Sequence, residues 1–182
     1  MSLYQEQKVI KPKVEEAAPE FLSGEKLQNL LSFVEFLKKN KLTPRWQSSN
    51  SWSVKYKNKT VCYVKIITHS HNVRVESFWA VYHSNFTREK WFRDYDGYFT
   101  DDGLKQFVLD NILAPTCIEK DCKGVQNKMI FGKKFDAVCH CWPIRLTNPE
   151  GEAFEYSKML VLAIKSFIAD MAQCPPVSFE IP

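Results

Sequence analysis

Four thiols stand in two close pairs, Cys117-x4-Cys122 and Cys139-x-Cys141. Zinc favours tetrahedral sulfur ligation, and two pairs joined by a loop are the usual way to present it. On an extended strand Cys139 and Cys141 project to one side and His140 to the other. All four thiols can then converge on one structural zinc ion. Against this, the spacing departs from the common C-x2-C pairs, and buried cysteines are frequent as plain apolar filling. A catalytic metal needs an open coordination position and a general base, and no His-Glu motif is present to supply them. His69-x-His71 and His83 fall near strand ends. Cys62 or Cys139 beside one of these histidines would make a nucleophile and base, but the spacing singles out no pairing.

A second pattern is electrostatic. From Arg45 to Val75 the chain has no Asp or Glu, and it carries Arg45, Lys55, Lys57, Lys59, Lys65 and Arg74. The remainder holds 19 basic and 21 acidic residues, so the net charge of +4 conceals a one-sign segment. Such a segment attracts anions. Strand alternation sorts its side chains by face. Trp52, Val54, Tyr56, Cys62, Val64, Ile66, Val73, Val75, Trp79 and Val81 form an apolar face. Ser53, Lys55, Lys57, Val61, Tyr63, Lys65, Arg74, Phe78, Ala80 and Tyr82 form the other, mixing cations with rings. The candidate ligand-binding residues are therefore Lys55, Lys57, Tyr63, Lys65, Arg74 and Tyr82. Rings stack on planar groups and cations neutralise phosphate or carboxylate, so the expected partner is a small anionic or planar ligand. Nucleic acid on the same face is the alternative, and a zinc-stabilised interaction module on the four cysteines is a third. The competing structural expectation is that a helix over 101–113 covers Phe78, Ala80 and Tyr82, leaving only lysines outside.

These residues need elements to hold them. Residues 1–20 are polar, with Pro12 and Pro19, and read as a flexible arm; 21–182 read as one domain. Leu27, Leu30, Leu31, Val34 and Leu37 predict a helix over 24–40, with Ser23 as N-cap. Alternation predicts three antiparallel strands, over 52–57, 60–68 and 73–82. A helical turn is expected within 85–95, and a helix over 101–113 capped by Thr100. A hairpin follows over 129–145, with its turn at Gly132-Lys133. A long buried helix starts at Asn148 and Pro149. The fold class is α+β: an antiparallel sheet, a three-stranded meander plus a later hairpin, packed on an N-terminal and a long C-terminal helix.

With 182 residues and 45% hydrophobic content, the chain suits one ordinary globular domain. It shows no apolar run of membrane-spanning length and no secretory leader, so six cysteines imply reduced thiols and a cytoplasmic setting. Glycine-rich phosphate loops and complete catalytic signatures are absent. The runs Trp52-Ser-Val-Lys-Tyr-Lys-Asn-Lys59 and Ile130-Phe-Gly-Lys-Lys-Phe-Asp-Ala-Val-Cys139, with Asn148-Pro149, resemble a group of small clostridial-type proteins of unknown function. The resemblance spans about residues 46–165 and transfers no activity. It implies that Cys117, Cys122 and Cys139 belong to one feature.

Overall fold

Alternating apolar residues along the acid-free segment build the centre of the molecule. The computed structural model describes residues 3–68, 76–84, 96–115, 123–139 and 141–171. The strands β1 (Pro44–Ser48), β2 (Ser51–Tyr56), β3 (Lys59–Ile67), β4 (Phe78–His83) and β7 (Ile144–Thr147) pair antiparallel in the order β1-β2-β3-β4-β7. A separate hairpin joins β5 (Val125–Ile130) to β6 (Lys133–Val138). Helices α1 (Leu3–Ile10), α2 (Val14–Ala17), α3 (Gly24–Lys39), α4 (Asp102–Asn111) and α5 (Gly151–Met171) complete the α+β fold. Val73, Arg74, Val75, His69, His71, the turn expected in 85–95, Cys117, Cys122 and His140 lie outside the described residues.

Trp52, Val54, Cys62, Val64, Ile66, Trp79, Val81, Ile144 and Leu146 line one buried sheet face. Leu30, Phe33, Val34 and Leu37 of α3 meet it at helical spacing, with the Phe33 ring centred 5.7 Å from that of Trp79. Leu160, Val161, Ile164, Phe167 and Ile168 of α5 pack into the same core, and α4 adds Leu104 and Val108. A cross-element contact ties the two long helices together: Lys165 Nζ donates to the Asn40 carbonyl at 2.8 Å, at the C-terminal end of α3, where cations are favoured.

Several expectations change. Residues 3–20 are folded rather than a flexible arm. Val14, Ala17 and Ala18 are buried, and Trp52 Nε1 donates to the Pro12 carbonyl at 2.7 Å. Val61, expected on the charged face, is fully buried in the core. Between Val54/Cys62 and Lys55/Thr60 the β2/β3 register shifts, and the extra residue on β3 is Val61. Asp101 replaces Thr100 as the cap of α4, its Oδ1 accepting the Leu104 N–H at 2.6 Å. The later hairpin turns at Phe131-Gly132, both at positive φ, as a two-residue turn requires. Its return strand ends at Val138, and Ile144 and Arg145 belong to β7 of the main sheet. Asn148 does not cap α5. At φ 40° it donates its N–H to the Trp79 carbonyl and accepts the Trp79 N–H at Oδ1, fastening β7 to β4.

Candidate functional site

On the face opposite the core, register sets one row of side chains across five strands. Arg45 faces Ser53, Ser53 faces Tyr63, Tyr63 faces Tyr82, and Tyr82 faces Arg145. In the next row on this face Ser51 faces Lys65 and Lys65 faces Ala80. Directly opposed side chains of a sheet stand about 5 Å apart at Cβ, so these neighbours touch. Lys65 Nζ lies 4.6 Å from the centre of the Tyr82 ring, and the Arg145 guanidinium carbon lies 5.4 Å from it. Trp142, in the connection before β7, meets Tyr63 edge-on at 4.8 Å and Tyr82 at 6.3 Å. Tyr63, Lys65, Tyr82, Trp142 and Arg145 are all partly exposed, while the small residues between them, Ser53 and Ala80, are buried. Rings and cations thus form a floor with two positive groups set into it.

No carboxylate among the described residues pairs with Lys65 or Arg145. Burial, and then the neighbouring Arg145 charge, hold the Lys65 ammonium below its ordinary pKa. The Arg145 Nε is buried with no acceptor among the described residues. The other end of the guanidinium is engaged: Nη2 donates to Cys139 Sγ at 3.5 Å. Burial by itself pushes the Cys139 thiol up. The backbone N–H groups of Trp142 and Cys141, together with the charge and hydrogen bond of Arg145, outweigh that and bring it below its ordinary value.

A second basic group lies at the β1 edge. Lys41, Thr43, Arg45, Lys55, Lys57 and Asn58 line an open cleft of about 280 Å³. Lys57 has an additional task there, since its Nζ donates to the Ala169 carbonyl near the end of α5 at 3.3 Å.

The expected ligand residues therefore divide. Tyr63, Lys65 and Tyr82 come together; Lys55 and Lys57 stand apart in the edge cleft; Arg74 is outside the described residues. Arg145 and Trp142 were missed, because nothing local ties residues 142–145 to β4. The covering helix over Tyr82 was also expected wrongly: α4 contributes Leu104 and Val108 to the core on the other face of the sheet. Cys139 and Cys141 do not share a side of a strand, for β6 stops before them and the chain bends at Cys141; Cys139 is buried and Cys141 exposed. Among the described residues no three His, Cys, Asp or Glu side chains gather at metal-binding distance. Cys62 and His83 are opposed across β3 and β4, yet both are fully buried. Burial pushes the Cys62 thiol up and the His83 imidazole down to about 3, so neither is a reactive partner at neutral pH.

The described residues form an α+β fold in which one sheet face carries Tyr63, Tyr82, Lys65 and Arg145. No protein-family model, curated protein or solved structure matches the chain. No helix among the described residues is long and apolar enough to cross a membrane.

Proposed function

We propose that the protein is a binding domain for a small anion carrying a planar ring, of the nucleotide class, held over Tyr82 between Lys65 and Arg145. The observation that carries this reading is the pair of cations on one tyrosine ring, with no carboxylate partner among the described residues. Two like charges held together in a partly desolvated place repel, and an anion between them converts that repulsion into attraction. Arg145 Nε is a buried donor lacking an acceptor among the described residues, which a phosphate or carboxylate oxygen would supply. Tyr63 and Trp142 offer ring surface for the planar part, worth about 1–3 kcal/mol per stacked base.

Titration with adenosine monophosphate, followed by tryptophan fluorescence, tests this directly. Inorganic phosphate and adenosine serve as the separate halves. The expected result is tighter binding of the monophosphate than of either half, weakened at least about tenfold by Lys65→Glu, which sets a carboxylate beside Arg145. Affinity unchanged in Lys65→Glu, or no binding of any of the three probes, would overturn it.

The edge cleft supports a second reading, single-stranded nucleic acid. Arg45 and Arg145 sit in one row on strands four spacings apart, about 19 Å, with the rings between. Contacts to four phosphates imply a log–log salt slope near −3 for an oligothymidylate. A flat salt dependence removes this reading and leaves the first intact.

A further inference from the structure

Two turns near strand β1 place lysine where the backbone favours another residue. Helix α3 ends in a Schellman motif: Leu42 donates its N–H to the Leu37 carbonyl and Lys41 its own to the Lys38 carbonyl, both at 2.9 Å. The left-handed position of that motif, ordinarily glycine, is Lys41 at φ 60°. The two-residue loop between Tyr56 and Lys59 is Lys57-Asn58, at φ 44° and 62°. Such a loop favours Asn followed by Gly, yet lysine takes its first position. Left-handed backbone strains a residue that has a Cβ, and a lysine kept at each place marks a use for its charge. Both lysines line the open cleft of about 280 Å³, with Thr43, Arg45, Lys55 and Asn58. Four cations therefore share one concavity, and no carboxylate among the described residues lines it. No Asp or Glu stands anywhere between Glu35 and Glu76. The adjoining cleft, which shares Thr43 and Arg45, is neutralised instead: Glu15 pairs with Lys38, and Glu16 with Lys13.

We propose that this cleft binds a short linear chain of condensed phosphates, at a site separate from the Tyr82 floor. Trp46 lines the neighbouring cleft, but no described ring lines this one. Its donors are ammonium, guanidinium, hydroxyl and amide groups, which suit phosphate oxygens and offer a base nothing to stack on. The volume of about 280 Å³ equals that of about nine liquid waters, room for a few linked phosphate groups. A phosphodiester strand spaces its charges along a sugar backbone, whereas condensed phosphate concentrates several in the space that four cations surround. Lys57 is held in place by its bond to the Ala169 carbonyl. The same chemistry occurs in a free polyphosphate and in the tail of a nucleoside triphosphate.

Calorimetric titration of the full chain with tripolyphosphate, at about 0.15 M salt and without divalent cations, tests this. One tripolyphosphate should bind per chain, about tenfold or more tighter than orthophosphate. Lys41→Gly should weaken it about tenfold while the thermal midpoint holds or rises, because glycine relieves the left-handed position. Lys55→Gln, at an exposed position of β2, should weaken it comparably. Adenosine triphosphate separates the two sources. Affinity equal to that of tripolyphosphate assigns the site to the free chain; tighter binding that Lys41→Gly still weakens assigns it to a nucleotide's tail. Titration with adenosine monophosphate should be unaltered in Lys41→Gly, so the two sites stand or fail separately. Absence of tripolyphosphate binding, or affinity unchanged in both Lys41→Gly and Lys55→Gln, would overturn the proposal. So would orthophosphate binding as tightly, a larger loss from Lys65→Glu than from either variant, or an oligothymidylate of equal charge binding more tightly than tripolyphosphate.

Discussion

His83 shows how one buried side chain can govern acid stability. It stands fully buried opposite Cys62, with Nε2 3.2 Å from Ser157 Oγ and Nδ1 without a partner among the described residues. Burial lowers its pKa from the ordinary 6.5 to about 3. Between those values the unfolded chain binds a proton that the native state refuses. Stability is therefore full above pH 6.5 and falls as the pH drops toward 3, at a limiting slope of about 1.4 kcal/mol per pH unit. Urea unfolding at pH 7, 6, 5 and 4 should show this decline. His83→Gln, which keeps a neutral partner for Ser157, should flatten it by that one-proton slope; parallel declines for the two proteins would contradict the assignment. Neither the burial nor the Ser157 contact was legible in the sequence, where His83 reads only as a residue near a strand end.

At the scale of elements, caps and turns decide where each segment starts and stops. The Asp101 carboxylate accepts the Leu104 N–H at the start of α4, while Thr100 makes no such bond. Asp101→Ala should lower stability by about 1 kcal/mol and Thr100→Ala by less than about 0.5, measured by chemical denaturation. Equal losses would return the cap to Thr100. Gly132 sits at φ 76° in the two-residue turn of the β5/β6 hairpin, and Gly132→Ala should cost about 1 kcal/mol because a Cβ disfavours that region. The periodic elements were legible: α3 over Gly24–Lys39, β2, β3 and α5 all appear within a few residues of their expected bounds. Strand β1 was missed, since Pro44–Ser48 is a short edge strand whose pairing partner β2 is what defines it.

Across the whole molecule, the N-terminal segment closes the edge of the sheet. Gln7 is buried; its Nε2 donates to Asn50 Oδ1 at 2.7 Å, and its Oε1 accepts the Asn50 N–H at 2.8 Å and Trp46 Nε1 at 3.3 Å. Gln7→Ala would strip three partners from a buried turn, at a cost of about 1–3 kcal/mol. A denaturation midpoint indistinguishable from that of the native sequence would show that residues 3–10 do not belong to the cooperative fold. The polar composition of this arm concealed its role, because its anchors are a few scattered residues, Gln7, Val14, Ala17 and Ala18, with the Pro12 carbonyl.

What the sequence determined by itself is everything carried by short-range periodicity. Apolar residues at helical spacing make α3 and α5 wherever they land, and alternation along β2 and β3 puts Trp52, Val54 and Val64 opposite Ser53, Tyr63 and Lys65. Tertiary structure decided the site. Arg145 reaches Tyr82 only because β7 pairs with β4 across some sixty intervening residues, and Trp142 and Cys139 arrive with it. That pairing depends on burying Ile144 and Leu146 on the common core, a long-range condition that no local pattern encodes.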